Sequence, residues 1–349
     1  MQANSSTSSS KRKGFKNHIF RALVFMLILG LLIVGAGELL EEMHDDNISD
    51  KDFYPAARWE EYYGIAPNTI DLLFLGSSHS YKSFDTEIFD ERIGTNSFNM
   101  GHSAQLLDSS YYILREVLRN QKPDTVVLEV YFKMMESDHM IFQNRYCYDY
   151  MEDSDVKKEF WKDVFKAKDK FEYAIKVLRY RKHLIKWLTG TLNETIDDVD
   201  SREYYKSKGF VYTEKTVSVE DLKKNNIFSG YAFGGFSDIQ YDYLKRIISL
   251  CESENITLVM VSVPLPETSL GYIGGYDVFS EGITELSKEN DIFYIDYNSS
   301  GEIREWFDDD MFSDYDHLNY TGVKTLDNHF IEYLLSNGLA DINIDLKDR

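Results

Sequence analysis

The chain has 349 residues and a mass of 40.8 kDa, more than one small domain needs and enough for one enlarged α/β domain carrying an insertion. Its 38 Lys and Arg face 59 Asp and Glu, a formal charge of −21 with a pI near 4.8, so most of its surface repels a polyanion and nucleic acid is not an expected partner. At 43% hydrophobic and 15% aromatic residues it is a folding chain, and its two cysteines, Cys147 and Cys251, exclude a disulfide-rich scaffold and a four-cysteine zinc site while leaving one bridge between them open.

In chain order, a polar leader runs into Lys11, Arg12, Lys13, Lys16 and Arg21, followed by an uncharged apolar run from Ala22 to Gly37. The run alone is shorter than the roughly 20 residues of a spanning helix, but Ile19, Phe20, Leu39 and Leu40 extend it if Arg21 snorkels. An uncleaved signal anchor over 19–40 is the favoured reading, with 1–18 as a basic cytoplasmic tail; a signal peptide cleaved near Val34-Gly35-Ala36 is the alternative. In both, basic residues precede the run and Glu38, Glu41, Glu42, Asp45 and Asp46 follow it, which puts the remainder on the extracytoplasmic side. Residues 41–66 are a membrane-proximal segment.

Beyond residue 66, short apolar runs alternate with amphipathic patterns, the βα alternation of a parallel sheet covered by helices. The expected strands are Ile70–Leu75, Ser97–Met100, Thr125–Tyr131, Ile256–Val263 and Ile292–Asp296, each rich in residues suited to burial on both faces. Helical stripes appear at Leu107, Tyr111, Leu114 and Leu118 and at Leu244, Ile247, Ile248 and Cys251. A last helix runs from Val323 to Leu335 and ends near Gly338. The alternation divides into halves at 67–132 and 237–337, with a tail at 338–349. Residues 133–236 interrupt it and are expected to form a mostly helical insertion capping one edge of the sheet. Its basic cluster, Arg179, Arg181, Lys182, His183 and Lys186, reads either as a solvated helix face or as a contact for an anionic glycan or lipid headgroup.

Three elements carry chemistry. Gly76-Ser77-Ser78-His79-Ser80 sets Ser78 on the turn at the carboxyl end of the first strand, where open α/β sheets bind ligands. A serine there becomes a nucleophile only beside a base. That base is His317, in the loop before the last helix, with Asp314 three residues earlier able to hold its tautomer and Asp316 a competing choice. Phe98-Asn99-Met100-Gly101-His102-Ser103 follows the second strand, and the Gly101 N–H can stabilise an oxyanion. The run Asp308-Asp309-Asp310 lacks the pattern of a calcium loop.

These segments, GSSHS, FNMGHS and SDYDHLNYTG, resemble the successive blocks of the SGNH/GDSL hydrolase superfamily, and in particular its membrane-anchored bacterial branch of teichoic-acid D-alanine transfer and polysaccharide O-acetylation proteins. The resemblance spans roughly 67–132 and 237–337. It implies a three-layer α/β/α, flavodoxin-like sheet of five parallel strands, no cofactor and no metal. It further implies Ser78 as nucleophile, His317 as base, Asp314 as its acid, and the amides of Ser78 and Gly101 in the oxyanion hole. Ser77 stands where the superfamily carries an aspartate, and its third block, Gly-x-Asn, is absent: the position reads Leu128-Glu129-Val130-Tyr131-Phe132. Asn99 is the candidate replacement. His79 and His102 are expected to line the substrate pocket or cap turns.

The first functional reading is an extracytoplasmic acyltransferase or esterase acting on O-acyl groups of a cell-surface glycan or teichoic-acid-like polymer. The resemblance adds a multi-spanning membrane O-acyltransferase as partner. The second is a non-catalytic scaffold or glycan-binding module, motivated by the missing Asn. A third, a metal-dependent hydrolase using His79, His102, Asp314 and His317, has suitable ligand types but no supporting spacing.

Overall fold

The computed structural model describes residues 7–47, 54–181, 185, 188–189, 203–224, 226–299 and 301–340. Lys182, His183 and Lys186 of the basic cluster lie outside the described residues. Chain contacts divide into two compact units, Met1–Ser49 with Lys166–Asp198 and Asp50–Phe165 with Val199–Arg349.

The first unit is built on one long helix, Thr7–Asn47. Within it His18–Glu42 is long and apolar enough to cross a membrane. Helices Ala167–Ala174 and Lys176–Arg179 belong to the same unit.

The second unit is a three-layer α/β/α fold on a parallel sheet. All five expected strands form, slightly shortened: β1 Leu72–Leu75, β2 Ser97–Asn99, β3 Thr125–Glu129, then, after an antiparallel hairpin of β4 Glu203–Ser207 and β5 Phe210–Thr213, β6 Thr257–Ser262 and β7 Phe293–Asp296. The sheet order is β2-β1-β3-β6-β7, all parallel. The hairpin apart, this is the flavodoxin-like order, whose switch point lies between β1 and β3.

Alternating strand residues feed two cores. Leu73, Leu75, Val126, Leu128, Leu258 and Met260 pack on one face with helices Leu107–Val117, Asp238–Glu254 and Tyr276–Glu289. Leu72, Phe74, Val127, Val259 and Val261 face the other, with Thr86–Ile93 and Tyr320–Ser336. There Phe74 lies 4.8 Å from Phe84 and 4.9 Å from Phe89. Truncating such a ring costs about 3–5 kcal/mol.

The interval 133–236 is more divided than its helical pattern suggests. Helices Ile141–Tyr148 and Asp155–Asp163 bury Cys147, Val156 and Phe160 in the first core. Residues 166–198 fall in the other unit. The hairpin instead closes the free edge of β2: Asn99 N–H donates to Lys208 O at 2.9 Å, and the Lys208 ammonium reaches Asp90 and Asn96. A covered edge is protected from pairing with another chain. Cys147 and Cys251 are buried free thiols, so the open disulfide question resolves as unbridged.

Candidate active site

The site sits at the carboxyl end of β1, beside the switch point. Gly76 ends the strand at φ +141°, where a Cβ would come within 2.6 Å of the Glu129 side chain. Only glycine passes that point. Ser77 then caps the short helix Ser78–Tyr81, its Oγ accepting from His79 N–H. Ser78, the first helical residue, is left half-buried with its hydroxyl turned toward the loop before the last helix. Its own N–H has no intramolecular acceptor among the described residues.

That loop is pinned at its base by the Phe312–Leu318 bridge and by Ser313 N–H donating to His317 O. Asn319 caps the helix Tyr320–Ser336 through the Thr321 and Gly322 amides. Inside the loop, Asp314 Oδ1 accepts from the backbone amides of Asp316 and His317, so its carboxylate turns back to the imidazole. His317 Nδ1 lies 2.9–3.0 Å from both Asp314 oxygens, and Nε2 lies 2.7 Å from Ser78 Oγ. With Nδ1–H donated to the carboxylate, Nε2 is the atom that can take the serine proton. The structure thus brings Ser78, His317 and Asp314 together in one relay.

Asp316 is also there. Its Oδ1 stands 3.1 Å from His317 Nδ1 and its Oδ2 accepts from Tyr131 OH at 2.9 Å. Burial alone would push the His317 pKa down, but the charges of Asp316 and Asp314 overturn this and raise it to about 9. Both aspartates are held below the usual carboxylate range, burial being outweighed by the charge of His317.

His79 is almost fully buried. Its ring is buried between Tyr131, 4.0 Å away, and His317, 4.7 Å away. Ser77 Oγ donates to Glu129 Oε2 at 2.9 Å, so His79 Nδ1 must donate to Ser77 Oγ at 3.1 Å. Burial, then the charge of His317, lowers its pKa to about 3, so it is a neutral wall behind the base. His102 is farther from the substrate-binding expectation: it is 1% exposed, one ring nitrogen accepts from Trp59 Nε1 at 3.1 Å and the other donates to Met100 O. Both histidines, expected at substrate, are instead buried with their ring nitrogens turned to protein partners, His79 Nδ1 to Ser77 and both His102 nitrogens to Trp59 and Met100.

The oxyanion expectation is corrected in part. Gly101 N–H donates to Asn99 Oδ1 at 3.0 Å, and Asn99 Nδ2 donates to Ser80 O at 3.0 Å. Asn99 is fully buried. These two residues tie the β2 turn to the nucleophile helix; of the three candidate groups, only the Ser78 amide is open.

Sequence reasoning missed Glu129. Fully desolvated at the end of β3, it accepts from Ser77 N–H at 2.7 Å and Ser77 Oγ, with Oε1 unpartnered. Burial raises its pKa to about 7 against the pull of the Ser77 bonds. A charged residue closing a buried strand, next to the switch point, was the available signal.

His79, Asp316 and His317 are close enough to suggest metal ligands. Their ring nitrogens are largely committed elsewhere: His317 Nδ1 to Asp314, His317 Nε2 to Ser78 Oγ and His79 Nδ1 to Ser77 Oγ. His102, held by Trp59, does not join them.

Residues 51–329 match the family described as "Protein of unknown function (DUF1574)". The chain belongs to this family. The DUF1574 match takes in β1, the Ser78 turn and the His317 loop, and leaves out the whole of the long N-terminal helix. Comparison with curated proteins gives no match. Among solved structures the chain is similar to a GDSL-like lipase from Bacteroides thetaiotaomicron VPI-5482, at 12% identity and a TM-score of 0.37 over 82% of this chain and all of that one. It is also similar to an alpha/beta hydrolase enzyme from the metagenome of Lake Arreo, Spain, at 10% identity and a TM-score of 0.35, over 80% of this chain and 98% of that one.

Proposed function

We propose that this protein is a membrane-anchored, SGNH-type serine acyl-transfer enzyme that carries an acyl group, with acetyl as the favoured one, on Ser78 and passes it to a hydroxyl of a cell-surface polysaccharide or teichoic-acid-like polymer, or to water. The observation that carries the reading is the Ser78–His317–Asp314 relay at the carboxyl end of β1. Neutral His317 takes the Ser78 proton as Oγ attacks the acyl carbonyl; the imidazolium then returns it to the leaving group. The Ser78 amide supports the oxyanion. In the second half-reaction the same imidazole deprotonates the acceptor hydroxyl, which attacks the acyl-enzyme and frees Ser78. The long helix with its basic leader supports an N-in anchor and an extracytoplasmic active site. A membrane O-acyltransferase that supplies the acyl group fits this placement.

One observation favours the scaffold reading instead: of the three candidate oxyanion donors only the Ser78 amide is open, and losing one oxyanion donor costs about 10²–10³ in kcat. Intact-mass analysis after exposure to p-nitrophenyl acetate or a fluorophosphonate separates the two. An adduct that disappears in Ser78→Ala is expected. No adduct on folded protein, alone or with the membrane partner, favours the scaffold.

A further inference from the structure

Apart from the N-terminal leader, the strongly basic stretch of this acidic chain lies beside the exit of its membrane-spanning helix. From Lys166 to Thr189 the sequence has eight Lys and Arg against two acidic residues, in a protein of formal charge −21. The contact with the helix is specific. Gly37 and Leu40 are buried, and a Cβ at Gly37 would come 2.7 Å from the Lys176 Cβ. The Lys176 ammonium lies 2.7 Å from Glu38 and 2.5 Å from Glu41, and Tyr180 OH donates to Glu41 at 3.1 Å.

Those contacts fix a height. A helix rises about 1.5 Å per residue and the hydrocarbon core is about 30 Å thick, so a span beginning near His18 ends close to Glu38. Helix Lys176–Arg179 therefore lies at the level of the headgroups. In the same unit Phe171 is 62% exposed, Ile185 56% and Leu188 67%, while Arg179 is retained over the Tyr173 ring at 4.0 Å. Large apolar side chains among cations, held at headgroup height, are the composition of an interfacial segment.

We infer that the described residues 166–181, 185, 188 and 189 lie on the membrane surface next to the anchor, with Phe171, Ile185 and Leu188 in the acyl boundary and Lys166, Lys168 and Lys170 on anionic phospholipid headgroups. This rests on the reading of 18–42 as a membrane span. Basic residues near an anionic surface are drawn to it, so the segment adds a second, charge-dependent attachment that limits tilting of the anchor.

The test uses the full chain reconstituted into vesicles of phosphatidylcholine, alone or mixed with phosphatidylglycerol. Single cysteines at Phe171, Ile185 and, as a control on an exposed helix, Glu285 carry an environment-sensitive fluorophore; Cys147 and Cys251 are buried and stay unlabelled. Labels at 171 and 185 should be blue-shifted and quenched by shallow brominated lipids, more so with phosphatidylglycerol, and the added effect should fall in Lys168→Glu/Lys170→Glu. If both labels report water as the Glu285 label does, while alkaline extraction leaves the chain in the bilayer, the surface contact is overturned and the anchor stands. Release of the chain by alkali overturns both. An equal blue shift with a soluble polyphosphate added to the detergent-solubilised chain also overturns the proposal, in favour of a polyanion as occupant.

Discussion

The turns that end β1 and β2 are nearly twins in sequence, Gly-Ser-Ser-His-Ser and Asn-Met-Gly-His-Ser, yet one presents chemistry and the other holds it in place. The difference is where their polar groups are committed. After β1, the Ser77 groups go to Glu129 and His79, which leaves the Ser78 amide open and its hydroxyl on His317. After β2, the Gly101 amide goes to Asn99, and both His102 nitrogens go to Trp59 and Met100. A strand-end turn becomes a site when its last polar groups have no neighbour to satisfy them.

The largest effects should come from the partners of the β1 turn. Asp314→Asn should lower acylation by up to about 10⁴, through the wrong imidazole tautomer, with little change in stability. Asp316→Asn should be milder in rate and clearest in its pH profile. The base must be neutral to act, and His317 is held near pKa 9 by both carboxylates, so the native acylation rate should climb with pH up to about 9. Removing the Asp316 charge lowers that pKa and moves the rising limb to lower pH. A profile unmoved in Asp316→Asn, or an Asp316 variant slower than the Asp314 one, would reverse their assigned roles.

Much of this was legible before the fold was known. Leu73, Leu75, Val126 and Val127 sit in runs too apolar for anything but a sheet buried on both faces, and Ser78, Asp314 and His317 stood at strand ends and a pre-helical loop. What stayed hidden depends on side-chain direction. Nothing in FNMGHS says that Asn99 folds back onto Gly101, or that His102 turns to a tryptophan more than forty residues earlier. Glu129 looked like a lost block because its role lies across the sheet, in the Ser77 turn. The hairpin at 203–213 was missed because its ladder pairs residues whose composition is charged and aromatic rather than plainly alternating.

Glu129 sharpens the comparison next. Glu129→Ala strips the acceptor from two Ser77 donors, worth about 1–3 kcal/mol of stability for each buried group left unpaired, and should loosen the nucleophile turn enough to cut acylation. Glu129→Gln keeps an acceptor oxygen and should retain most of the rate. Its stability should differ in pH response. Burial raises the Glu129 pKa from 4.5 to about 7, so the folded state holds a proton that the unfolded chain has released. As pH rises from about 4.5 to 7, the native protein should lose stability relative to the glutamine variant, because the other buried titrating groups are common to both. Urea titrations across that range that coincide for the two proteins would mean that Glu129 ionises in the fold as it does in water.

The smallest catalytic effects belong to the β2 turn, despite its histidine and glycine. Asn99→Ala should cost about 1–3 kcal/mol of stability by freeing the Gly101 amide and Ser80 groups, with acylation falling only as far as the nucleophile helix shifts. A loss of 10² or more in rate at unchanged stability would return Asn99 to the oxyanion hole. His102→Phe is the limiting case. It leaves the Trp59 N–H and Met100 carbonyl without their partner, so unfolding should come about 1–3 kcal/mol sooner, while acylation per folded molecule and its pH profile stay as in the native protein. Those two readouts move together only if the β2 turn touches substrate, because a residue whose ring nitrogens are both spent inside the fold can reach the reaction solely through stability.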